Sequence, residues 1–161
     1  MTDIMALDIE TSNYSYEIGG WNNKALFDTS VVATWDGSEG HIFSKEDVEM
    51  DGVSVHPLHP RALGDHITNH IEKGGQILGH NLYGFDLPVL RDSLDCWAAG
   101  DIMQKKDSII DTKNLVSSAA ISKGKIETNL QALVSQTLGK SKSMKSVDAP
   151  LAWREGKFAE V

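Results

Sequence analysis

Carboxylates follow two short apolar segments of this 161-residue sequence, and their spacing constrains the fold more than any other feature. Asp8 and Glu10 close the first segment, with Ile9 between them. Side chains two residues apart in a strand point to the same face, where they lie about 7 Å apart. Two such carboxylates repel each other unless a cation lies between them. Mg²⁺ and Mn²⁺ prefer oxygen ligands of this kind.

A third carboxylate, Asp86, ends the sequence GHNLYGFD, which begins at the end of a second apolar run at residues 76–79. In α/β sheets, ligands gather at the carboxyl ends of parallel strands. Asp8, Asp86 and Asp111 all lie at or just past predicted strand ends. We therefore interpret Asp8, Glu10 and Asp86 as a site for two Mg²⁺ or Mn²⁺ ions that hydrolyses phosphodiesters.

Each of these segments also has a purely structural interpretation. Asp8 and Glu10 can be two solvated carboxylates at a strand end. Asn81 can cap a helix while Phe85 fills the core, and Asp111 can cap the following helix. Tyr14, Tyr16 and Trp21 follow the acidic pair closely enough to stack on a base, although ordinary loop packing explains each of them singly.

Composition places the chain among ordinary globular proteins, with 40% hydrophobic and 24% charged residues. Its length allows one domain with a sizeable core. No apolar run approaches the ~20 residues of a membrane helix, and the N-terminus lacks the pattern of a secretory signal. The single cysteine, Cys96, rules out an intrachain disulfide. These features predict a cytoplasmic protein without membrane association.

The net charge of −8 at first disfavours a nucleic-acid partner, but the charges are unevenly distributed. Residues 1–104 carry 17 acidic and 5 basic side chains, whereas residues 105–161 carry 6 acidic and 10 basic ones. Basic side chains near the C-terminus can contact phosphates. Charge therefore decides little about nucleic-acid binding.

The hydrophobic pattern predicts strands that alternate with helices, which indicates a mixed α/β sheet. A hairpin turn is expected at residues 36–40. The histidines at positions 56, 59, 66 and 70 lack nearby cysteines and the His-Glu-x-x-His pattern, so we assign them to packing or to the surface. Strands are predicted at residues 5–8, 31–35, 41–43, 76–79 and 108–110, and helices at 61–73, 84–94, 113–121 and 128–138.

The same motifs resemble those of a known family. Asp8-Ile-Glu10 resembles the first motif of the DEDD 3′–5′ exonucleases of the ribonuclease H-like superfamily, and residues 81–86 resemble the second. Residues 71–90 are similar to the proofreading domain of bacteriophage family A DNA polymerases. Residues 109–112 and 129–139 continue the same order of elements, so the resemblance spans residues 4 to about 142.

The resemblance implies a mixed five-stranded sheet with helices on both faces. It also implies that Asp8, Glu10 and Asp86 hold two Mg²⁺ or Mn²⁺ ions. The implied reaction releases nucleoside monophosphates from single-stranded DNA or from DNA 3′ ends, with Thr11, Asn81 and Phe85 contacting the substrate. A polymerase domain is the implied partner.

The sequence departs from the family at its third motif, a late Asp that follows a Tyr by four residues or a His by five. No Tyr or His follows Asp111 here. Asp148 and Asp111 are the candidate supporting carboxylates, although Pro150 argues against the helix expected around Asp148. We expect one domain over residues 1–161 that stops short of this motif, with weakened metal binding and little or no turnover. The later acids are Glu127, Asp148, Glu155 and Glu160.

Two other functions stay open on this sequence. One is a non-catalytic nucleic-acid-binding or assembly module with the same fold, which would bind DNA through Lys140, Lys142 and Lys145. The other is an RNA-directed exonuclease, because recognition of the 2′-hydroxyl depends on the shape of the pocket.

Overall fold

A computed structural model describes residues 3–120, 127–141 and 144–161 of the chain. These residues form an α/β fold in which helices pack against a mixed sheet. The strands are β1 (Ile4–Thr11), β2 (Thr29–Trp35), β3 (Gly40–Ser44), β4 (Ser54–Pro57), β5 (Gln76–Gly79) and β6 (Ile109–Asp111). The helices are α1 (Pro60–Glu72), α2 (Asp86–Ser93), α3 (Trp97–Gln104), α4 (Thr112–Ala120), α5 (Leu130–Leu138) and α6 (Ala149–Arg154).

Within the described ranges the sheet has six strands in the order β4-β3-β2-β1-β5-β6. β2 is antiparallel to β1 and β3, which confirms the predicted hairpin, while β5 is parallel to both β1 and β6. The expectation of five strands was wrong because β4 also joins the edge, parallel to β3. That strand is only four residues long and follows an acidic, irregular stretch, so its pattern is too short to be recognised.

β1 lies in the middle of the sheet, and its side chains alternate strictly. Met5, Leu7 and Ile9 are buried, whereas Asp8 is exposed and Glu10 is half-buried on the opposite face. The alternation follows from the pleat of a strand. It places the two carboxylates away from the main core.

The main core lies between the Met5–Leu7–Ile9 face of β1 and helices α1 to α3. Each leucine buried there contributes about 1.5–3 kcal/mol relative to an exposed one. This packing fixes the start of α2, and therefore Asp86, against β1. The helical members of the core include Leu63, Ile67, Leu87, Leu90, Ala98 and Ile102.

The helices differ from the predictions mainly at their ends. α5 begins after Asn129, whose side chain accepts a hydrogen bond from the Ala132 amide, rather than after Thr128. Gly139 ends α5 with a left-handed φ of 63°, which glycine adopts without steric cost. α4 is described to Ala120, and the predicted end of this helix at position 121 lies outside the described residues.

Two short helices, α3 and α6, were not predicted. The expectation that Pro150 argues against a helix was wrong, because it occupies the second position of α6, where proline is tolerated since no intrahelical donor is needed. No helix in the described part of the chain combines the length and apolarity that a membrane crossing requires.

Candidate active site

Three carboxylates from two distant parts of the chain line one pocket. Asp8 and Glu10 reach it from the carboxyl half of β1, and Asp86 reaches it from the first turn of α2. The pocket has a volume of about 710 Å³. This is within the size range of small-molecule sites, so it can hold a nucleotide.

Asp86 has the most unusual surroundings of the three. Its side chain is only 4% exposed. Burial, and then the nearby charge of Asp8, raise its pKa to about 8, against the opposing effect of hydrogen bonds from the backbone N–H groups of Asp86 and Ile9. A buried carboxyl close to a second carboxylate is poised to bind a cation, because a cation would favour both ionised forms.

The carboxylates fit a hard divalent cation in ligand type and charge. Within the described residues, no three side chains from among His, Cys, Asp and Glu lie close enough together to hold a metal ion. Mg²⁺ in phosphate-processing sites commonly takes one or two carboxylates, with waters and substrate phosphates as its other ligands. The acidic wall of the pocket is therefore suited to ions that bind together with a phosphate group.

Asp111 is a structural anchor rather than part of the pocket wall. It is 4% exposed, and its carboxylate accepts backbone N–H bonds from Asn81, Tyr83, Lys113 and Asn114 at 2.9–3.4 Å. The first two donors belong to the segment that leads into α2, and the others belong to the start of α4. One carboxylate thus ties both segments together and caps α4.

The three residues expected to contact substrate all line the same pocket as the carboxylates. Thr11 is buried and donates its hydroxyl hydrogen bond to the Asn13 carbonyl at 3.0 Å. Asn81 has a left-handed φ of 71°, a conformation that Asn tolerates better than most residues. The Phe85 ring meets the Phe27 ring edge-on, with centroids 5.0 Å apart.

Aromatic side chains form a second wall. Tyr14 and Tyr16 stack with ring centroids 5.0 Å apart, and Trp21 packs edge-on against Phe85 at 5.4 Å. Tyr16 is 75% exposed and Trp21 is 62% exposed, although both line the pocket. Large aromatic surfaces left open at a pocket are suited to stacking against planar groups.

Residues 146–154, which include α6, form a third side of the pocket through Ser146, Val147 and Pro150. The Arg154 guanidinium holds this segment by a bidentate ion pair with Glu17, at 2.9 and 2.6 Å. It also donates to the Ser12 carbonyl at 2.9 Å. The C-terminal segment is therefore fastened to the loop that carries the aromatic wall.

The remaining predicted residues lie elsewhere. Asp148 is exposed and is not among the described residues that line the pocket, so the structure does not bring it to Asp8 and Asp86. Lys140 and Lys145 are exposed, and Lys142 lies outside the described residues.

Sequence reasoning missed Lys113, a charged residue of the pocket wall, whereas the position of His80 next to a strand end indicated a hydrogen-bonded structural residue. The His80 ring lies 2.9 Å from the Thr112 hydroxyl, which fixes its position beside Asp8. Lys113 comes two residues after Asp111, and its proximity to a predicted strand end was the signal that could have identified it.

Comparisons with known proteins do not assign the chain to a family. Neither a protein-family model nor a curated protein matches it. The function proposed below rests on the pocket and its side chains.

Proposed function

We propose that this chain is a metal-dependent 3′–5′ exonuclease domain that hydrolyses the terminal phosphodiester of DNA. The observation that carries the proposal is the convergence of Asp8, Glu10 and Asp86 on one pocket of about 710 Å³. Carboxylates repel one another, and the raised pKa of Asp86 reflects this cost in part. A function that uses cations with oxygen ligands explains why the fold brings them together.

The resemblance of these motifs to the DEDD exonucleases supports the same reaction. The chain has the coarse architecture that such a domain needs, a mixed sheet whose middle strand carries the first acidic pair. The ribonuclease H-like assignment and a polymerase partner are part of this proposal.

Some side chains of the pocket would act on the phosphate through metal ions, and others would contact the nucleoside. Two bound divalent cations would supply a hydroxide nucleophile and would stabilise the leaving 3′ oxygen. Asp8, Glu10 and Asp86 would hold these ions. Phe85 and Trp21 provide apolar surfaces for the terminal base, and such stacking is worth about 1–3 kcal/mol per base.

The test uses single-stranded DNA labelled near its 3′ end, incubated with Mg²⁺ or Mn²⁺. We expect release of nucleoside 5′-monophosphates. Asp8→Ala and Asp86→Ala should each lower the rate by about 100-fold or more, since removing one electrostatic contact to the transition state costs roughly that much. Asp65→Ala is the matched control, because Asp65 is exposed on α1 and does not line the pocket.

Two results would contradict the proposal. One is Mg²⁺ binding that Asp8→Ala leaves unchanged, and the other is a rate of hydrolysis that Asp8→Ala leaves unchanged. The same assay with an RNA strand distinguishes a DNA enzyme from an RNA enzyme, because only the 2′-hydroxyl differs along the backbone.

A non-catalytic nucleic-acid-binding module is the second candidate. It is favoured by the lack of a three-ligand metal group among the described residues and by the exposed Tyr16, Trp21, Lys140 and Lys145. This function predicts DNA binding that weakens with salt but does not respond to Mg²⁺ or to Asp8→Ala. A binding titration with and without Mg²⁺ separates the two functions.

A further inference from the structure

Lys113 introduces a positive charge into the otherwise acidic pocket. It is half-buried, and among the described residues that line the pocket it is the only lysine or arginine. A phosphodiester that approaches Asp8, Glu10 and Asp86 meets three carboxylates. An ammonium group on the same wall lowers the electrostatic cost of that approach, because charges in a partly desolvated pocket interact more strongly than in water.

Contacts on two sides fix the position of this ammonium group. The Lys113 Nζ donates to the Asn81 side-chain oxygen at 3.1 Å. The backbone N–H groups of both residues donate to the same Asp111 oxygen, at 2.9 Å from Asn81 and 3.1 Å from Lys113. A Cβ at position 84 would come within 2.4 Å of the Asn81 oxygen, so this amide occupies space that the glycine leaves open.

The location of Lys113 is unfavourable for a purely structural lysine. It is the second residue of α4, and a cation in the first turn of a helix is opposed by the helix dipole. Its described side-chain hydrogen bond goes to a neutral amide and uses one of the three ammonium donors. A group that binds anions in the pocket accounts for both features.

We propose, on the basis of the proposed function, that Lys113 binds the non-bridging oxygens of the terminal phosphodiester, whose phosphate becomes the 5′-phosphate of the released nucleotide. Its role is to position the phosphate beside the carboxylates. Asn81 and Asp111 keep the ammonium group in place. The residue thereby favours nucleotides over nucleosides at this site.

The experiment measures binding of thymidine 5′-monophosphate and of thymidine, in Ca²⁺ and at constant ionic strength. We expect wild-type protein to prefer the monophosphate by about tenfold or more, as for a hydrogen bond to a charged group. Lys113→Met should remove most of this preference and leave thymidine binding unchanged. Lys113→Arg, which keeps the charge, should restore part of it.

Lys106→Met is the matched control, because Lys106 is exposed and does not line the pocket. Circular dichroism confirms that each variant is folded. Equal preference for the monophosphate in wild type and Lys113→Met overturns this inference, as does a wild type without any preference.

The hydrolysis assay separates this inference from the proposed function. If wild type hydrolyses DNA, Lys113→Met should raise KM by about tenfold, as expected for loss of a charged hydrogen bond in binding, with a smaller effect on kcat. An unchanged KM contradicts the role of Lys113 but leaves the exonuclease proposal intact. If Asp8→Ala leaves hydrolysis and Mg²⁺ binding unchanged while wild type prefers the monophosphate through Lys113, the exonuclease proposal fails and the phosphate site remains.

Discussion

Asp86 shows how a single carboxyl group can connect binding to stability. An unfolded Asp ionises near its ordinary pKa of 3.8, whereas burial and the charge of Asp8 raise the pKa of folded Asp86 to about 8. Between these pH values the folded state keeps a proton that the unfolded state has lost. Without metal, the contribution of Asp86 to stability therefore falls as the pH rises from about 4 to about 8.

Asp86→Asn should remove this pH dependence. In the presence of EDTA at pH 8, we expect the variant to be more stable than wild type by about 1–3 kcal/mol, because the buried charge is gone. The difference should shrink towards pH 4. Urea denaturation across this pH range measures it, and Asp101→Asn, an exposed change on α3, is the control. A variant less stable than wild type at pH 8 would contradict the explanation.

The sequence identified some features of this site and not others. Strand alternation put Asp8 and Glu10 on one face. The pattern of short apolar runs put Asp86 just past a strand end, whereas the structure places it at the first residue of α2, beyond the end of β5. The burial of Asp86 depends on how α2 packs against β1, which no local pattern encodes. The strand end near Lys113 was visible in the sequence, but its exact position also depends on the Asp111 carboxylate, which accepts hydrogen bonds from residues about 30 positions away.

At the scale of elements, long periodic segments were the easiest to predict. The β2–β3 hairpin and helix α1 were expected near their observed positions because each has a clear pattern and a clear stop. Helix α3 is short and contains Gly100, so its pattern is weak. Helix α6 is only six residues long, and Pro150 favours a helix only when it lies in the first turn. Short elements take their structure from packing more than from propensity.

Helix α1 packs against β3 through a cluster of rings. His66 lies on α1, with its ring centroid 4.7 Å from that of His41 and 5.3 Å from that of Phe43. The His41 and His56 rings share an N···N contact of 3.0 Å. Burial, followed by the nearby histidines, lowers the pKa of His66 to about 4. Folding therefore opposes protonation of His66 between pH 6.5 and 4.

His66→Gln should lessen the loss of stability in mild acid. In the wild type, the unfolded chain takes up a proton on His66 near pH 6.5, so stability falls as the pH drops towards 4. We expect the variant to reduce this fall by about 1–2 kcal/mol. Measuring it in the Asp86→Asn background removes the opposing slope from the carboxyl. His59→Asn, which keeps a capping acceptor at the start of α1, should leave the slope intact.

The bidentate ion pair between Arg154 and Glu17 should control the local opening of the segment that contains α6. Arg154→Ala removes both bonds to Glu17 and the bond to the Ser12 carbonyl. We expect faster amide hydrogen exchange in residues 12–18 and 149–154, with little change elsewhere, because local openings are governed by local contacts. Lys157→Ala breaks only a nearby ion pair with Glu155 and is the control. Equal exchange in Arg154→Ala and wild type would refute this role.

The whole molecule has a net charge of −8, so its acidic side chains repel one another in the folded state and lower its stability. Salt should weaken this repulsion wherever the charges lie on the surface, since screening acts on all exposed charges. A bound cation in the acidic pocket would add a contribution that depends on specific side chains. Stability measurements can therefore separate general screening from site binding.

Mg²⁺ should raise the melting temperature more than NaCl does at the same ionic strength. For wild type, we expect Mg²⁺ to raise the melting temperature by about 2–4 °C more than NaCl does. This difference corresponds to roughly 1 kcal/mol of stabilisation by the bound ion. Asp8→Asn should abolish the excess, whereas Asp65→Asn makes the same change in net charge away from the pocket and should preserve it. Identical melting shifts with the two salts would exclude a magnesium site of useful affinity.

The contact between Arg154 and Glu17 joins residues 137 positions apart, and it has a consequence for biosynthesis. A ribosome releases the β1 end of the chain long before it releases α6. During that interval the aromatic loop has no C-terminal segment to close over it, and the pocket lacks one side. The nascent chain can thus build its core early but completes its pocket only when synthesis has passed Arg154.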